Sequence, residues 1–287
     1  KIFDNIWVQP AAGDAGGSLG AALALWHIDQ NNPRKVDHND SMQGSYLGPE
    51  YSQKEIEEQL DKAGAKYEIF KNEELLDKTA TDLTNEEAIG WFQGRMEFGP
   101  RALGGRSILG DPRSEKMQKN LNLKVKYRES FRPFAPSILN EDLSEWFDIN
   151  VDSPYMLMVA NINKDKTIKM TEDQKNLFGI DKLNVKRSEI PAVTHVDYSA
   201  RIQTVHKETN EKYFRLIEKF KDKTNCPILI NTSFNVRGEP IVNTPLDAFN
   251  CFMGTDLDKL VIGNCYLDKN NQNPALKKDY TKEFELD

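Results

Sequence analysis

Residues 207–235 read KETNEKYFRLIEKFKDKTNCPILINTSFN, and this stretch decides the fold class. Its first part, residues 207–221, is predicted as an amphipathic helix, because its large apolar residues recur with helical spacing on one side. These residues are Tyr213, Phe214, Leu216, Ile217 and Phe220. The run Pro227–Ile230 is predicted as a buried strand that leads directly into the polar residues 231–235. A helix that feeds a buried strand is typical of an α/β sheet.

The same alternation of helices and strands extends in both directions along the chain. Ser52 is predicted as the N-cap of a helix that reaches Ala63, and Glu55 completes a capping box. Further helices are predicted from Asn72 to the turn at 79–83 and over Asp247–Met253. Further strands are predicted at 67–70, at 89–93 and, as the last strand, at 259–262. The remaining predictions are a strand, a glycine-rich loop and a helix from Leu19 to Ile28 within 6–28, a connection over 29–48, a surface insertion over 161–190 and a charged surface tail over 268–287.

The composition narrows the classes of function. The chain has 287 residues, so one large domain or two smaller ones are expected. Apolar residues make up 38% and charged residues 29%, which is typical of a soluble globular protein. The net charge of −7 disfavours bulk binding of nucleic acid, because an acidic surface repels a phosphate backbone.

Cysteine usage and the absence of targeting segments favour a cytoplasmic setting. The cysteines Cys226, Cys251 and Cys265 show no CxxC spacing, which argues against a disulfide framework or a zinc site. No apolar run approaches the roughly 20 residues that a membrane span needs, and no signal segment is recognisable at the start. The chain begins with Lys1 and not with Met, so we expect it to be a piece of a longer protein.

Glycine and arginine crowd residues 94–107, which read GRMEFGPRALGGRS. Glycine allows the backbone to approach a ligand closely, and the guanidinium fork matches phosphate and carboxylate oxygens. The pattern predicts an anion-binding loop at a strand end, with Arg95, Arg101 and Arg106 as its cations. From composition alone, surface arginines on a tight turn explain the pattern equally well.

A second basic stretch, residues 124–137, reads KVKYRESFRPFAPS. On a strand, residues two apart share a face, so Lys126 and Arg128 are predicted to enter one cleft. Arg132 is predicted to be partly buried and therefore to need a partner, either a ligand phosphate or a carboxylate such as Glu97 or Glu129. A structural ion pair is the alternative interpretation.

Two further segments place polar side chains at strand positions. Ser233 and Asn235 follow the strand at 227–230 and can bind a ligand without adding charge, although a turn that merely ends the strand fits as well. In residues 195–205, HVDYSARIQTV, Arg201 and Gln203 alternate with apolar residues and are predicted to share one face. The nearby His195 is more typical of a structural hydrogen-bonded pair with Asp197 than of a catalytic residue.

The sequence contains no self-contained metal motif. The glycine-rich loop at 13–18 opens a helix and is a weak anion-site pattern by itself. The histidines show no HxxxH or HExxH spacing, so a metal site built from them alone is not expected. They are His27, His38, His195 and His206.

These clusters together closely resemble one family. Residues 88–267 resemble the C-terminal domain of the O-carbamoyltransferases of the tobramycin and nodulation-factor type. The phrases that carry the resemblance are GRMEFGPRALGGRSIL at 94–109, KVKYRESFRPFAPSIL at 124–139, HVDYSARIQTV at 195–205 and NTSFNVRGEPIV at 231–242. They are long, occur in order and are specific.

The resemblance implies a fold and a division of the chain. The matched domain is similar to threonylcarbamoyl-adenylate synthase, which has a YrdC-like twisted mixed sheet with helices. The pattern K-x-R followed by S-x-N that they share is matched here by Lys126, Arg128, Ser233 and Asn235. Residues 1–48 then form the remnant of an actin-like ATPase-type domain, residues 49–267 the YrdC-like domain and residues 268–287 a tail. Asp14 matches a metal- or nucleotide-contacting position, whereas the family's metal-binding histidines precede this chain.

The resemblance also implies a reaction in two steps. Carbamoyl phosphate and ATP give carbamoyl-adenylate, and the carbamoyl group then passes to a hydroxyl of an antibiotic-like or glycan-like acceptor. We expect Lys126, Arg128 and Arg201 to be catalytic, and the binding residues to be Arg101, Arg106, Arg132, Ser233 and Asn235. ATP with Mg²⁺ is the expected cofactor, and a transition metal such as iron is expected in the complete protein. No nucleic acid or membrane partner is expected, and the oligomeric state, a homodimer included, stays open.

Two alternatives fit the same fold. One is a threonylcarbamoyl-adenylate synthase, which would use threonine and bicarbonate, and the phrases at 94–109 and 195–205 favour the transferase over it. The other is a non-catalytic module that binds RNA or a nucleotide, and the acidic net charge weighs against RNA.

Overall fold

The computed structural model describes residues 8–36 and 40–280, and their strands form one mixed sheet. The strands are β1 (Glu68–Ile69), β2 (Ile89–Phe92), β3 (Arg106–Gly110), β4 (Ala135–Leu139), β5 (Met158–Asn161), β6 (Ser199–Val205), β7 (Ile228–Ser233), β8 (Lys259–Ile262) and β9 (Cys265–Asp268). Their order across the sheet is β1-β9-β8-β2-β3-β7-β4-β6-β5. The pairs β2–β8 and β4–β6 are parallel and the other pairs are antiparallel. The α/β fold with a mixed sheet is therefore confirmed.

The longer helices that the sequence predicted are present, together with four short helices that it did not predict. The helices are α1 (Asp14–Ala24), α2 (Gln53–Lys62), α3 (Asn72–Thr84), α4 (Met117–Asn120), α5 (Leu143–Trp146), α6 (Glu172–Lys175), α7 (Gly179–Leu183), α8 (Glu211–Thr224) and α9 (Pro245–Gly254). The five apolar residues predicted on one side of α8 are all buried. Ser52 and Glu55 form the predicted capping box at the start of α2.

Three predictions of local structure are wrong. The glycine-rich segment after Gly13 is not a loop, because α1 already begins at Asp14. The strand at 259–262 is not the last, since β9 follows it and pairs with it. Lys126 and Arg128 do not alternate along a strand: α4 continues into a π-helical turn over Leu121–Val125, and Tyr127 then adopts a φ of 48°. The strand predicted at residues 6–8 lies almost entirely outside the described residues.

Residues 268–280, the described part of the predicted charged surface tail, are mostly exposed, but they are anchored to the fold at both ends. Asp268 is the last residue of β9, and Tyr280 is 5% exposed and belongs to the main hydrophobic cluster. Residues 161–190, predicted as a surface insertion, carry the short helices α6 and α7 and a 3₁₀ turn over Lys164–Lys166, but Arg187, Ser188 and Ile190 of this segment are buried. Within residues 8–36 and 40–280, no helix has both the length and the apolar character that a membrane span requires.

The sheet register brings the predicted polar residues onto one face. Ser137 of β4 pairs with Gln203 of β6 on one side and with Leu229 of β7 on the other. The side chain of Asn231 donates to that of Gln203 at 2.8 Å, so these two residues share a face. Because side chains two apart on a strand point the same way, Arg201 and Ser233 lie on this face too. They are separated by two strand spacings, roughly 10 Å across the sheet.

Candidate active site

Lys126 is the central cation of the candidate site. Its side chain is 3% exposed. Its Nζ donates to the carbonyl and hydroxyl oxygens of Ser233 and to the carbonyl and side-chain oxygens of Asn235, the last at 2.8 Å. Burial, together with the positive charge of the neighbouring Arg128, lowers the pKa of this amine to about 7. The lysine of the K-x-R pattern and both residues of the S-x-N pattern are thus brought together, although no strand carries the lysine.

Arg128 lies beside Lys126 and is held by a buried amide. Its Nε donates to Oδ1 of Asn122 at 2.6 Å, and its guanidinium lies 5.1 Å from the ring centre of Phe134. The amide nitrogen of Asn122 in turn donates to the carbonyl oxygens of Ser130 and Arg132. Burial lowers the pKa of Arg128 to about 10, with Arg132 as a further cause. Asn122 therefore sets the direction in which Arg128 points.

Replacing Asn122 by aspartate is expected to weaken the binding of an anionic ligand about tenfold, the worth of roughly one charged hydrogen bond. The new carboxylate would pair with Arg128 and offset its charge, and the two bonds that the amide nitrogen donates would be lost. The measurement is the dissociation constant for carbamoyl phosphate by calorimetry. Asn120→Asp is the control, because Asn120 is exposed on α4 and adds the same charge nearby. Equal affinity in both variants would contradict the positioning role of Asn122.

Arg101 and Arg201 form a pair of cations without a carboxylate. Within residues 8–36 and 40–280, neither makes an ion pair, and the Nε atom of each is buried without a hydrogen-bond partner. Among the described residues, the side chain of Arg201 makes one hydrogen-bond contact, from its guanidinium to the sulfur of Met156 at 3.9 Å. Burial lowers the pKa of Arg201, and the positive charge of Arg101 lowers it further. Two desolvated like charges with unused donors are a site that an anion would stabilise.

A row of buried polar side chains connects the loop at 94–107 to the sheet. Oε1 of Gln203 accepts from Ser137 at 2.5 Å and from Asn231 at 2.8 Å. Gln203 and Asn231 then donate to the loop carbonyls of Leu103 and Ala102, respectively. Because buried polar groups carry a high cost when unpaired, this row fixes the loop, and with it Arg101, over the sheet face that carries Arg201.

The backbone of the loop at 94–107 does bind an anion, and this anion is the carboxylate of Glu97. This carboxylate is 6% exposed and accepts from the N–H groups of Leu103 and Gly105, each at 2.7 Å, and from that of Arg106. Gly104 has a φ of +110°, and a Cβ there would collide with the ring of Tyr213. The loop therefore has the anion-binding backbone geometry that was predicted, but its N–H groups bind the protein's own Glu97 side chain.

Arg106 braces this loop from below. It is fully buried in β3, and its guanidinium donates to the carbonyl oxygens of Gln93, Gly94, Gly105 and Pro49. The guanidinium also stacks 3.5 Å from the ring centre of Phe92. Burial lowers its pKa to about 10. These contacts favour a structural role over the ligand-binding role that the sequence predicted for Arg106.

The other predicted residues lie away from this cluster or are exposed. Arg132 is 48% exposed and pairs with Glu129 at 3.0 Å, so its partner is as predicted whereas its burial is not. Arg95 is 55% exposed and lies 3.6 Å from Glu50. His195 and Asp197 each bond to Ser199.

Asp14 lies in the first turn of α1. In the part of the chain that the structure describes, no group of three or more His, Cys, Asp or Glu side chains could hold a metal ion.

Two residues of the site carried no role in the sequence analysis. Asn122 precedes the basic stretch, and no sequence pattern singles it out. Glu239 was quoted only as part of a motif, yet its carboxylate accepts from the N–H of Val236 and its carbonyl accepts from the side chain of Asn235. Both make contacts within irregular segments of the chain, which leave no periodic signal in the sequence.

Comparisons with known proteins identify the family of this chain. A family model described as the carbamoyltransferase C-terminus matches residues 80–269. The chain belongs to the carbamoyltransferase family. The match includes the lysine, arginine, serine and asparagine residues of the cluster around Lys126, and it excludes Asp14.

Relatives in this carbamoyltransferase family match nearly the whole chain. The uncharacterized protein sll1178 of Synechocystis sp. is 55% identical, with 99% of this chain and 47% of the relative covered. Nodulation protein NolNO of Sinorhizobium fredii is 41% identical, with 95% of this chain and 37% of the relative covered. The 3'-hydroxymethylcephem-O-carbamoyltransferase of Amycolatopsis lactamdurans is 30% identical, with 93% of this chain and 44% of the relative covered. The chain thus spans less than half the length of these three relatives.

Proposed function

We propose that this chain binds carbamoyl phosphate and ATP and forms carbamoyl-adenylate, from which the carbamoyl group passes to a hydroxyl of an acceptor. The observation that carries the proposal is the sheet face that holds Lys126, Arg128 and the unpaired arginines Arg101 and Arg201. Phosphoryl and carboxylate oxygens are the acceptors to which such partly or fully buried cations donate hydrogen bonds. The carbamoyltransferase relatives support the carbamoyl group as the unit transferred.

The proposed chemistry balances with one water molecule. Water cleaves the bond between the carbamoyl carbon and the phosphate oxygen, which gives carbamate and inorganic phosphate. A carbamate oxygen then attacks the α-phosphorus of ATP, and pyrophosphate leaves. Negative charge accumulates on phosphoryl oxygens in both steps, so Lys126, Arg128 and Arg201 act by stabilising that charge and by holding the two reactants in line. Ser233 and Asn235 hold the amine of Lys126 in place.

Mg²⁺ would accompany ATP as its counter-ion. Asp14 would supply a single carboxylate to a metal ion, but among residues 8–36 and 40–280 no group of three or more His, Cys, Asp or Glu side chains forms a metal site around it. No step of the proposed chemistry of this chain depends on that metal. A cytoplasmic location, where carbamoyl phosphate and ATP are available, belongs to the same proposal.

Binding of carbamoyl phosphate is expected to take up a proton near neutral pH. The pKa of Lys126 is lowered to about 7 in the free protein, and a bound anion would raise it by favouring the charged amine. Affinity should therefore fall as the pH rises from 7 to 9, by at most about tenfold per unit. Calorimetry in two buffers of different ionisation enthalpy measures the proton uptake.

Lys126→Met should abolish this proton uptake, and Lys124→Met is the matched control because Lys124 is exposed two residues away. Proton uptake that persists in Lys126→Met would assign the titration to another group. An affinity that stays constant from pH 7 to 9 in the parent would contradict the protonated amine as the binding form.

The proposed function itself is tested by thermal unfolding with carbamoyl phosphate, with inorganic phosphate as the control. A ligand at about 100 times its dissociation constant adds roughly 2.7 kcal/mol of stability. A larger shift with carbamoyl phosphate than with phosphate, followed by pyrophosphate release from ATP, supports the proposal. Pyrophosphate release that requires threonine and bicarbonate would replace it with threonylcarbamoyl-adenylate synthesis.

A further inference from the structure

Glu239 is a partly buried residue whose contacts lead to the amine of Lys126. Its backbone carbonyl accepts from the side-chain amide nitrogen of Asn235 at 2.6 Å. The amide oxygen of Asn235 in turn accepts from Nζ of Lys126 at 2.8 Å and from the hydroxyl of Ser233 at 2.7 Å. Because Glu239 holds the amide nitrogen, the amide oxygen has to face the amine. The position of Nζ therefore depends on Glu239 through Asn235.

The carboxylate of Glu239 closes the turn that directs this carbonyl. It accepts from the backbone N–H of Val236 at 2.8 Å, and the N–H of Glu239 donates back to the carbonyl of Val236 at 3.3 Å. Between these two residues, the N–H of Arg237 donates to the carbonyl of Lys126 at 3.2 Å. The turn over 235–239 thus contacts both the backbone and the side chain of Lys126.

The charged and titratable groups around this pair leave Glu239 as the source of negative charge. Burial and the positive charge of Arg128 lower the pKa of Lys126, whereas the charge of Glu239 favours the protonated amine. Burial raises the pKa of Glu239, and hydrogen bonds from Cys251 and Tyr280 and the charge of Lys126 oppose that rise. Burial also keeps the pKa of the Cys251 thiol on α9 well above its usual range, so this thiol is uncharged near neutral pH.

We propose that Glu239 is a positioning residue for Lys126: through Asn235 it directs the amine toward the anionic substrate, and its carboxylate balances the charge of that amine. The proposal rests on the proposed function, because it takes Lys126 as a cation that binds the donor. In this role Glu239 does not touch the substrate, and its effect reaches the substrate only through Lys126.

Glu239→Gln keeps the backbone carbonyl and an oxygen for the N–H of Val236, but it removes the charge. We expect the titration of Lys126 to move to lower pH, by up to about one unit, because a neighbouring negative charge favours the protonated amine. NMR of protein labelled at the lysine ε-carbons measures this titration without ligand, and Lys126→Met assigns the signal. The affinity for carbamoyl phosphate, measured by calorimetry, should then fall about tenfold at pH 8 and less than about threefold at pH 6, where the amine is mostly protonated.

Asp256→Asn is the matched control. Asp256 is exposed in the turn after α9 and contacts this part of the chain through its backbone N–H, which donates to the carbonyl of Lys124. The variant removes a nearby negative charge without altering the turn over 235–239, so we expect the parental titration of Lys126.

Glu239→Asp separates the charge from the geometry. It keeps the negative charge on a side chain that is one carbon shorter, which weakens the bond to Val236. We expect a titration of Lys126 close to that of the parent, together with an affinity that falls by a similar factor at low and at high pH. The thermal unfolding of every variant is compared with that of the parent, so that a change in binding is not mistaken for unfolding.

The titration also separates this proposal from the proposed function, because it needs no donor. An unchanged titration of Lys126 in Glu239→Gln, or an equal shift in Asp256→Asn, overturns the proposal, and parental binding of carbamoyl phosphate would then leave the proposed function intact. A loss of thermal stability in Glu239→Gln with parental titration and affinity also overturns it, since Glu239 would then only close the turn. A shifted titration in a protein that binds no carbamoyl phosphate supports the coupling of Glu239 to Lys126 and rejects the donor assignment.

Discussion

Arg201→Met is expected to weaken carbamoyl phosphate binding about a hundredfold, because hydrogen bonds to charged groups contribute about 1.5–3 kcal/mol each. The same change should leave the free energy of unfolding unchanged or raise it. Arg201 has no carboxylate partner among the described residues, its Nε is unsatisfied, and the charge of Arg101 already disfavours its protonated form. A partly buried charged side chain that costs stability is typical of a functional residue. Calorimetry and urea unfolding of the same variant measure the two effects.

Arg215→Met is the matched control for this variant. Arg215 lies on α8 and pairs with Glu73 at 2.5 Å. Partly exposed ion pairs of this kind contribute little, about 0–1 kcal/mol, and the residue is not part of the site. We expect unchanged binding in Arg215→Met. Parent-like affinity in Arg201→Met, or a clear loss of stability without a loss of affinity, would show that Arg201 is a structural residue.

Arg106→Met is expected to have the opposite profile, with a loss of about 3 kcal/mol of stability from unsatisfied buried carbonyls and little change in affinity among folded molecules. The carbonyl oxygens of Gln93 and Gly94 lose their donor, whereas those of Gly105 and Pro49 keep a backbone N–H. The Glu97 carboxylate also loses a nearby positive charge. At this chain length such a loss lowers the melting temperature by roughly 10 °C. Scanning calorimetry measures the shift.

Arg106→Lys separates charge from geometry. A lysine keeps the positive charge but cannot reach four carbonyls at once, so an intermediate loss of stability is expected. If Arg106→Met retained parental stability and lost carbamoyl phosphate binding, the ligand-binding role predicted from the sequence would be right and the bracing role wrong.

Regular structure in this chain could be predicted because periodic burial determines it. The five apolar residues of α8, the capping box at Ser52 and the buried strand after Pro227 follow from spacing and local hydrogen bonding. The alternation of Arg201 and Gln203 was predicted for the same reason, because both lie on the strand β6.

Irregular backbone accounts for the features that could not be predicted. Lys126 and Arg128 reach the site through a π-helical turn and a residue with positive φ, neither of which has a residue period. The bonds from Lys126 to Ser233 join residues 107 positions apart, so only a motif match could place them together. The loop at 94–107 was predicted to bind an anion on composition, but composition cannot show that Glu97 is that anion.

The Glu97 carboxylate gives the loop at 94–107 a permanent internal counter-charge, and this has a kinetic consequence. A loop that becomes ordered only around its ligand must lose conformational entropy with each binding event, which weakens affinity and slows association. Here the backbone donors of Leu103 and Gly105 are already saturated in the free protein. In the proposed reaction, the donor substrate would therefore meet an already ordered surface, and its association rate would depend on diffusion and on the long-range attraction of the arginines, not on loop closure.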